Sequence, residues 1–134
     1  MPTIEQAIAL FGVTIDEHLD RQAEIPVLSG LQFQGDVAVV PVNWDPARTP
    51  IPETGVPIVR GQAEANTHLL VATGKVFFTP ERFGGGMALG VLTVAEGATA
   101  YLAHPEHAFT GIAPGTYELR RQREQADQAR LVAD

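Results

Sequence analysis

The chain has 134 residues, no cysteine, and nine basic against sixteen acidic side chains, for a net charge of −7. That length suits one ordinary domain with a core that needs no covalent staple. The absence of cysteine excludes disulfides, thiol nucleophiles and cysteine-ligated zinc or iron–sulfur centres, and the acidic balance argues against nucleic acid or an anionic membrane as partner.

The first residues, MPTIEQAIALF, carry no basic leader region, and no apolar run is long enough to span a bilayer, so the expected location is the cytoplasm. Thr3 and Gln6 have capping-box spacing, and Ile4, Ala7, Ile8 and Phe11 recur at helical intervals until Gly12. A second short helix is expected from Thr14, with Asp16 and Glu17 in its first turn, ending before Pro26. Residues 1–24 therefore read as a short helical segment, 25–120 as a β-rich body and 121–134 as a polar tail.

From Ile25 the pattern changes to short strands. Leu31-Gln32-Phe33-Gln34 alternates with period two, as a half-buried strand does, and Gly35-Asp36 marks a turn. Val37 to Val40 is a continuous apolar run suited to a core strand, with Pro41 at its frayed end. Asn43 to Gly55 holds three prolines and is the longest expected loop. Val56 to Arg60 reads as the next strand. Thr73-Gly74-Lys75 reads as a tight hairpin between two apolar runs, 69–72 and 76–78. A loop from Glu81 ends in Gly84, Gly85 and Gly86. Further strands follow at 89–94, 99–103, 108–112 and 116–120. The expected fold is mainly β: a small barrel, roll or sandwich of about seven to nine short strands with one or two short N-terminal helices.

Three stretches carry a resemblance: His104-Pro105-Glu106-His107, Ile112-Ala113-Pro114-Gly115-Thr116-Tyr117 and Arg121-Gln122-Arg123-Glu124. They resemble a signature of a group of small bacterial β-rich proteins of unassigned function. Arg60-Gly61-Gln62-Ala63-Glu64 with His68 is similar to a second block of that group. The resemblance implies an all-β core and no known chemistry. Where that group often has a second histidine, this chain has Asn66, which weakens any metal site carried over from it. Cupins also place paired histidines after glycine-rich turns, but their His-x-His spacing is absent here.

The ligand-capable residues are His68, His104 and His107 with Glu64 and Glu106, a pool that suits a divalent transition metal. Residues three apart in a strand face opposite ways, so His104 and His107 converge only if Pro105-Glu106 make a turn. The plainer reading is a polar hairpin tip with exposed histidines and no cofactor. The one serine, Ser29, lacks a nucleophile-elbow context, and Gly84 to Gly86 lack the Gly-Lys-Ser/Thr of a phosphate loop. Asp36 reads as a turn residue.

Consecutive Phe77 and Phe78 must point to opposite faces, so one ring needs cover. The N-terminal helices are expected to supply part of it, and part of the cover for Val37 to Val40. Arg120, Arg121 and Arg123 offer forks for carboxylates on the body or on a second copy. Trp44 is expected to pack against the body and pin its loop; with Arg82 and Phe83 it is also a candidate partner surface. The favoured function is thus a non-enzymatic interaction or assembly module whose partner is itself or another protein. The alternatives are a small metal-dependent enzyme or metal-binding protein, and a small-molecule-binding β-barrel.

Overall fold

A computed structural model describes residues 2–13, 15–16, 21–59, 67–81 and 88–121. Within them the chain forms one helix and ten strands arranged as two five-stranded sheets. Helix α1 spans Ile4–Phe11. The strands are β1 (Val27–Leu28), β2 (Gln32–Gln34), β3 (Val37–Pro41), β4 (Val56–Val59), β5 (His68–Thr73), β6 (Val76–Pro80), β7 (Ala88–Val94), β8 (Thr99–His104), β9 (Ala108–Ile112) and β10 (Gly115–Arg121). One sheet runs β1-β9-β8-β5-β4 and the other β2-β3-β10-β7-β6. The sheets pack face to face as a sandwich and do not close into a barrel.

The expected hairpin at Thr73-Gly74-Lys75 is a crossing instead. β5 and β6 lie in different sheets, and so do β7 and β8, and β9 and β10. Local turn chemistry is the same whether a chain doubles back beside itself or steps across to the opposite layer. The pairing that decides the layer is long-range: β5 joins β8, and β10 joins both β3 and β7.

Between the sheets lies the main core of Val39, Leu70, Phe78, Leu92, Ile112, Tyr117 and Leu119, among others. Gly90 makes room for it, since a Cβ there would lie 2.6 Å from Cζ of Phe78. The other face of the first sheet is also buried. Val71, Tyr101, Ala103 and Phe109 pack there against Ile4, Ala7, Ile15 and Ile25. Thr3 and Gln6 form a complete capping box at the start of α1, and Gly12 ends it in the left-handed conformation at φ 69°. An eight-residue helix is marginal alone, so this apolar contact is what holds it. The expected second helix falls partly outside the described residues; residues 21–23 form turns and bends.

Two expectations about cover are corrected. Helix α1 lies over β5, β8 and β9, not over Val37 to Val40 or the phenylalanines. β3 is buried as a central strand, flanked by β2 and β10, with Val37, Ala38 and Val39 fully buried. Phe78 points into the core and Phe77 is half-buried. The outer edge of β6 is lined by the proline-rich loop: the N–H of Phe78 donates to the carbonyl of Thr49 at 2.8 Å, and the N–H of Ile51 to that of Val76 at 3.2 Å. Trp44 does not pack into the body as expected; half of its surface is exposed.

β2 inverts the sense of its alternation. Gln32 and Gln34 are buried, while Phe33 is only half-buried. The two carboxamides bridge the sheets. Gln32 Nε2 donates to the carbonyl of Gly111 at 3.0 Å and Gln34 Nε2 to that of Leu102 at 2.8 Å. Burying them costs little because these bonds replace their bonds to water.

Candidate functional site

Three of the chain's four histidines meet at one end of the sandwich. The rings of His68 and His104 lie 4.5 Å apart, those of His104 and His107 4.6 Å, and those of His68 and His107 6.4 Å. His68 opens β5 and His104 ends β8. Pro105 and Glu106 form the middle of the turn, closed by the N–H of His107 donating to the carbonyl of His104 at 3.2 Å. Proline presets the turn angle, and this tight return brings His107 back beside His104. Ala108 follows in the left-handed conformation at φ 60°.

The β2–β3 turn supplies the fourth wall. Asp36 Oδ1 lies 3.0 Å from Nε2 of His68. On the other side of the ring, Nδ1 lies 3.0 Å from Oε1 of Gln34. Gln34 is oriented by its own Nε2, which donates to the Leu102 carbonyl, so its oxygen must face His68. Nδ1 of His68 therefore faces an acceptor, as Nε2 does at Asp36. Gly35 adopts φ +57°, and a Cβ there would sit 2.8 Å from Nε2 of His107 and 3.6 Å from Cε1 of His68. The left-handed backbone and the close approach of the His107 ring both favour glycine here.

Burial, reinforced by the neighbouring His104 ring, lowers the His68 imidazole from 6.5 to about 4, against the upward pull of Asp36. Burial and then His107 lower His104 as well. His68 thus has an acceptor oxygen at each ring nitrogen, while burial disfavours the charged ring that would donate to both. A cation beside the ring, either a proton or a metal ion, resolves that conflict.

The three imidazoles are not equivalent. His104 Nδ1 accepts the N–H of Glu106 at 3.1 Å, so in the neutral ring the hydrogen sits on Nε2 and that nitrogen is a donor. Glu106 is exposed on the same turn. Glu64, Arg82, Phe83 and Arg123 lie outside the described residues. Among the described residues, no three histidine or acidic side chains form a ready-made metal cage. Arg121 Nη2 lies 3.6 Å from Asp36 Oδ2, and Arg120 lies 3.5 Å from Glu118 of its own strand. Both arginines have carboxylate partners within the chain.

Asp36 and Gln34 were not among the expected ligands. A Gly-Asp turn signals only local structure, and a glutamine in an alternating strand signals the wet face. The sequence does hold one clue: Asp36 and Gln34 flank a glycine whose lack of a side chain lets two imidazoles approach.

Residues 33–122 match a family described as a domain of unknown function, DUF8820. The chain belongs to that family. The matched span holds Gln34, Asp36, His68, His104, His107 and Arg121, and α1 precedes it. No curated protein and no solved structure matches the chain.

Proposed function

We propose that this DUF8820 protein binds a divalent transition-metal ion between His68 and Asp36 at the histidine end of its sandwich. One observation carries the reading: Nε2 of His68 and Oδ1 of Asp36 are 3.0 Å apart while Nδ1 is committed to Gln34. Metal bonds of about 2.1 Å meeting at a right angle, as around a tetragonal nickel or copper ion, put their donor atoms about 3.0 Å apart. A ligating histidine typically donates its other ring N–H to a fixed acceptor, and Gln34 provides one. His107, exposed with its Nε2 edge over Gly35, is the candidate third donor, and water completes the shell. Imidazole with carboxylate favours ions such as zinc or nickel over calcium.

Calorimetric titration of chelator-stripped protein with zinc and nickel tests this. The expected result is binding tighter than about 100 μM, weakened at least about tenfold by Asp36→Asn, a near-isosteric change in the β2–β3 turn. Binding of neither ion in that range overturns the reading and leaves the His68–Asp36 contact as a hydrogen bond.

The second reading is the non-enzymatic interaction or assembly module, with the chain itself or another protein as partner and the cytoplasm as location. It is favoured by large apolar side chains left in water: Leu10 at 62%, Leu28 at 47% and Trp44 at 50% exposure. Phe77, Phe78, Arg120 and Arg121 lend it less support, because each has neighbours within the chain. Light scattering coupled to size exclusion separates the readings. A mass of 14.4 kDa at all concentrations rejects self-assembly.

A further inference from the structure

His104 carries a buried donor that the chain itself does not satisfy. Alternation along β8 puts His104 on the face of Ala100, which lines the core between the sheets, so its ring closes that core at the histidine end. The residue is only 5% exposed. Its Nδ1 accepts the N–H of Glu106 at 3.1 Å, so the hydrogen of the neutral ring is on Nε2. Among the described residues, no acceptor meets that Nε2–H. The neighbouring His68 ring cannot serve, because both of its nitrogens already face oxygens, Gln34 Oε1 and Asp36 Oδ1, at 3.0 Å. Buried donors in native proteins are almost always paired, with protein or with ordered water.

The surroundings of the ring narrow the partner. A cation cannot accept an N–H. An anion is opposed by the carboxylates of Glu106, Asp36 and Asp16, all of which act on the ring. What remains is an uncharged oxygen. Glu106 and His107, on the turn that follows His104, are exposed, so this turn is reached from solvent. We propose that the Nε2–H of His104 is the binding point for the carbonyl or hydroxyl oxygen of a small uncharged ligand, with the His107 ring, centred 4.6 Å away, beside it. The proposal goes beyond the metal reading and needs no metal, since His104 is not among the donors named there. A single ordered water at the same place is the competing account.

The test uses the full chain, treated with chelator, at neutral pH. The probes are acetamide and acetate, which share a shape and differ in charge. Nuclear magnetic resonance of nitrogen-labelled protein follows the Nε2–H of His104 and the ring hydrogens of His107. Acetamide is expected to shift both saturably, half-complete below about 100 mM, with acetate at least about threefold weaker. His104→Gln keeps an N–H near the Nε2 position and is expected to hold acetamide within about threefold of the wild type, read at His107. His104→Asn reaches only the Nδ1 position and is expected to lose the response. Circular dichroism checks that both variants are folded, and the comparison of the two probes on the wild type stands without them. Acetate bound as well as acetamide, or a hydrogen found on Nδ1 of His104, overturns the proposal. So does the absence of any acetamide shift, and a long-lived water contact at Nε2–H in that case names water as the partner. With no metal in the sample, none of these outcomes bears on zinc or nickel binding.

Discussion

Oε1 of Gln34 and Nδ1 of His68 stand 3.0 Å apart, across 34 residues of chain. That contact sets an acceptor against Nδ1, because the carboxamide nitrogen is spent on the carbonyl of Leu102. Gln34→Met keeps the length of the side chain and removes both functions. It leaves buried polar groups without their partner, for an expected loss of about 1–3 kcal/mol in urea denaturation. It also frees His68 to present either nitrogen, so metal affinity is expected to fall about 10- to 100-fold. A variant as stable as the wild type, with unaltered metal affinity, would show that Gln34 merely fills space.

The histidine end should also make stability depend on pH in metal-free protein. The folded His68 ring titrates near 4 and the unfolded ring at 6.5. Above 6.5 both states hold a neutral ring and the contribution is constant. As pH falls from 6.5 toward 4, the unfolded chain takes up a proton that the folded ring refuses, so stability falls. The full effect of His68 is about 3 kcal/mol, and His104, shifted in the same direction, adds to it. Denaturation at about pH 7 and about pH 5 should show a larger drop for the wild type than for His68→Asn. Equal drops in the two proteins would mean that His68 does not titrate in this window.

Much of the body is legible in the chain. Runs such as Leu69 to Ala72 and Leu89 to Val94 read as strands between turn residues, and Thr3 with Gln6 marks the helix start by capping-box spacing. The layer assignment is not legible, because Thr73-Gly74-Lys75 is equally good as a hairpin and as a step between sheets. Nor is the inversion of β2. Alternation says that Gln32 and Gln34 share a face, but the carbonyls of Gly111 and Leu102 decide that this face is inside. The proximity of the histidines hinges on a turn that Pro105 makes plausible, whereas the position of Asp36 depends on pairings spanning 32 residues.

Gly35 is the next residue to probe. Its backbone lies at φ +57°, and an added methyl would meet His107 Nε2 at 2.8 Å. Gly35→Ala is expected to cost about 1–2 kcal/mol from the backbone alone, plus the displacement of the imidazole. Pairing it with His107→Ala separates the two costs. The double variant should recover the steric part and keep the backbone part. If His107→Ala recovers nothing, the imidazole does not rest on Gly35 in solution.

Helix α1 provides the last test, because it covers a sheet face that would otherwise be exposed. Ala7 is fully buried against that face, two residues from exposed Ala9. Alanine and leucine are similarly good helix formers, so Ala→Leu at the two positions differs in packing and little in propensity. Ala7→Leu must push the helix off the sheet and is expected to cost about 1–3 kcal/mol. Ala9→Leu should be neutral within about 0.5 kcal/mol. Phe11 and Tyr101, with ring centroids 5.6 Å apart across the same contact, give a near-ultraviolet dichroism signal that should weaken in Ala7→Leu and persist in Ala9→Leu. The N-terminal segment also reaches the site, since the N–H of Asp16 donates to the carbonyl of Pro105 at 2.9 Å. The proposed metal ligands His68 and Asp36 nonetheless sit on β5 and the β2–β3 turn, so nickel affinity should change less than about threefold in Ala7→Leu. Equal stability of the two leucine variants would show that α1 is not docked on β5, β8 and β9.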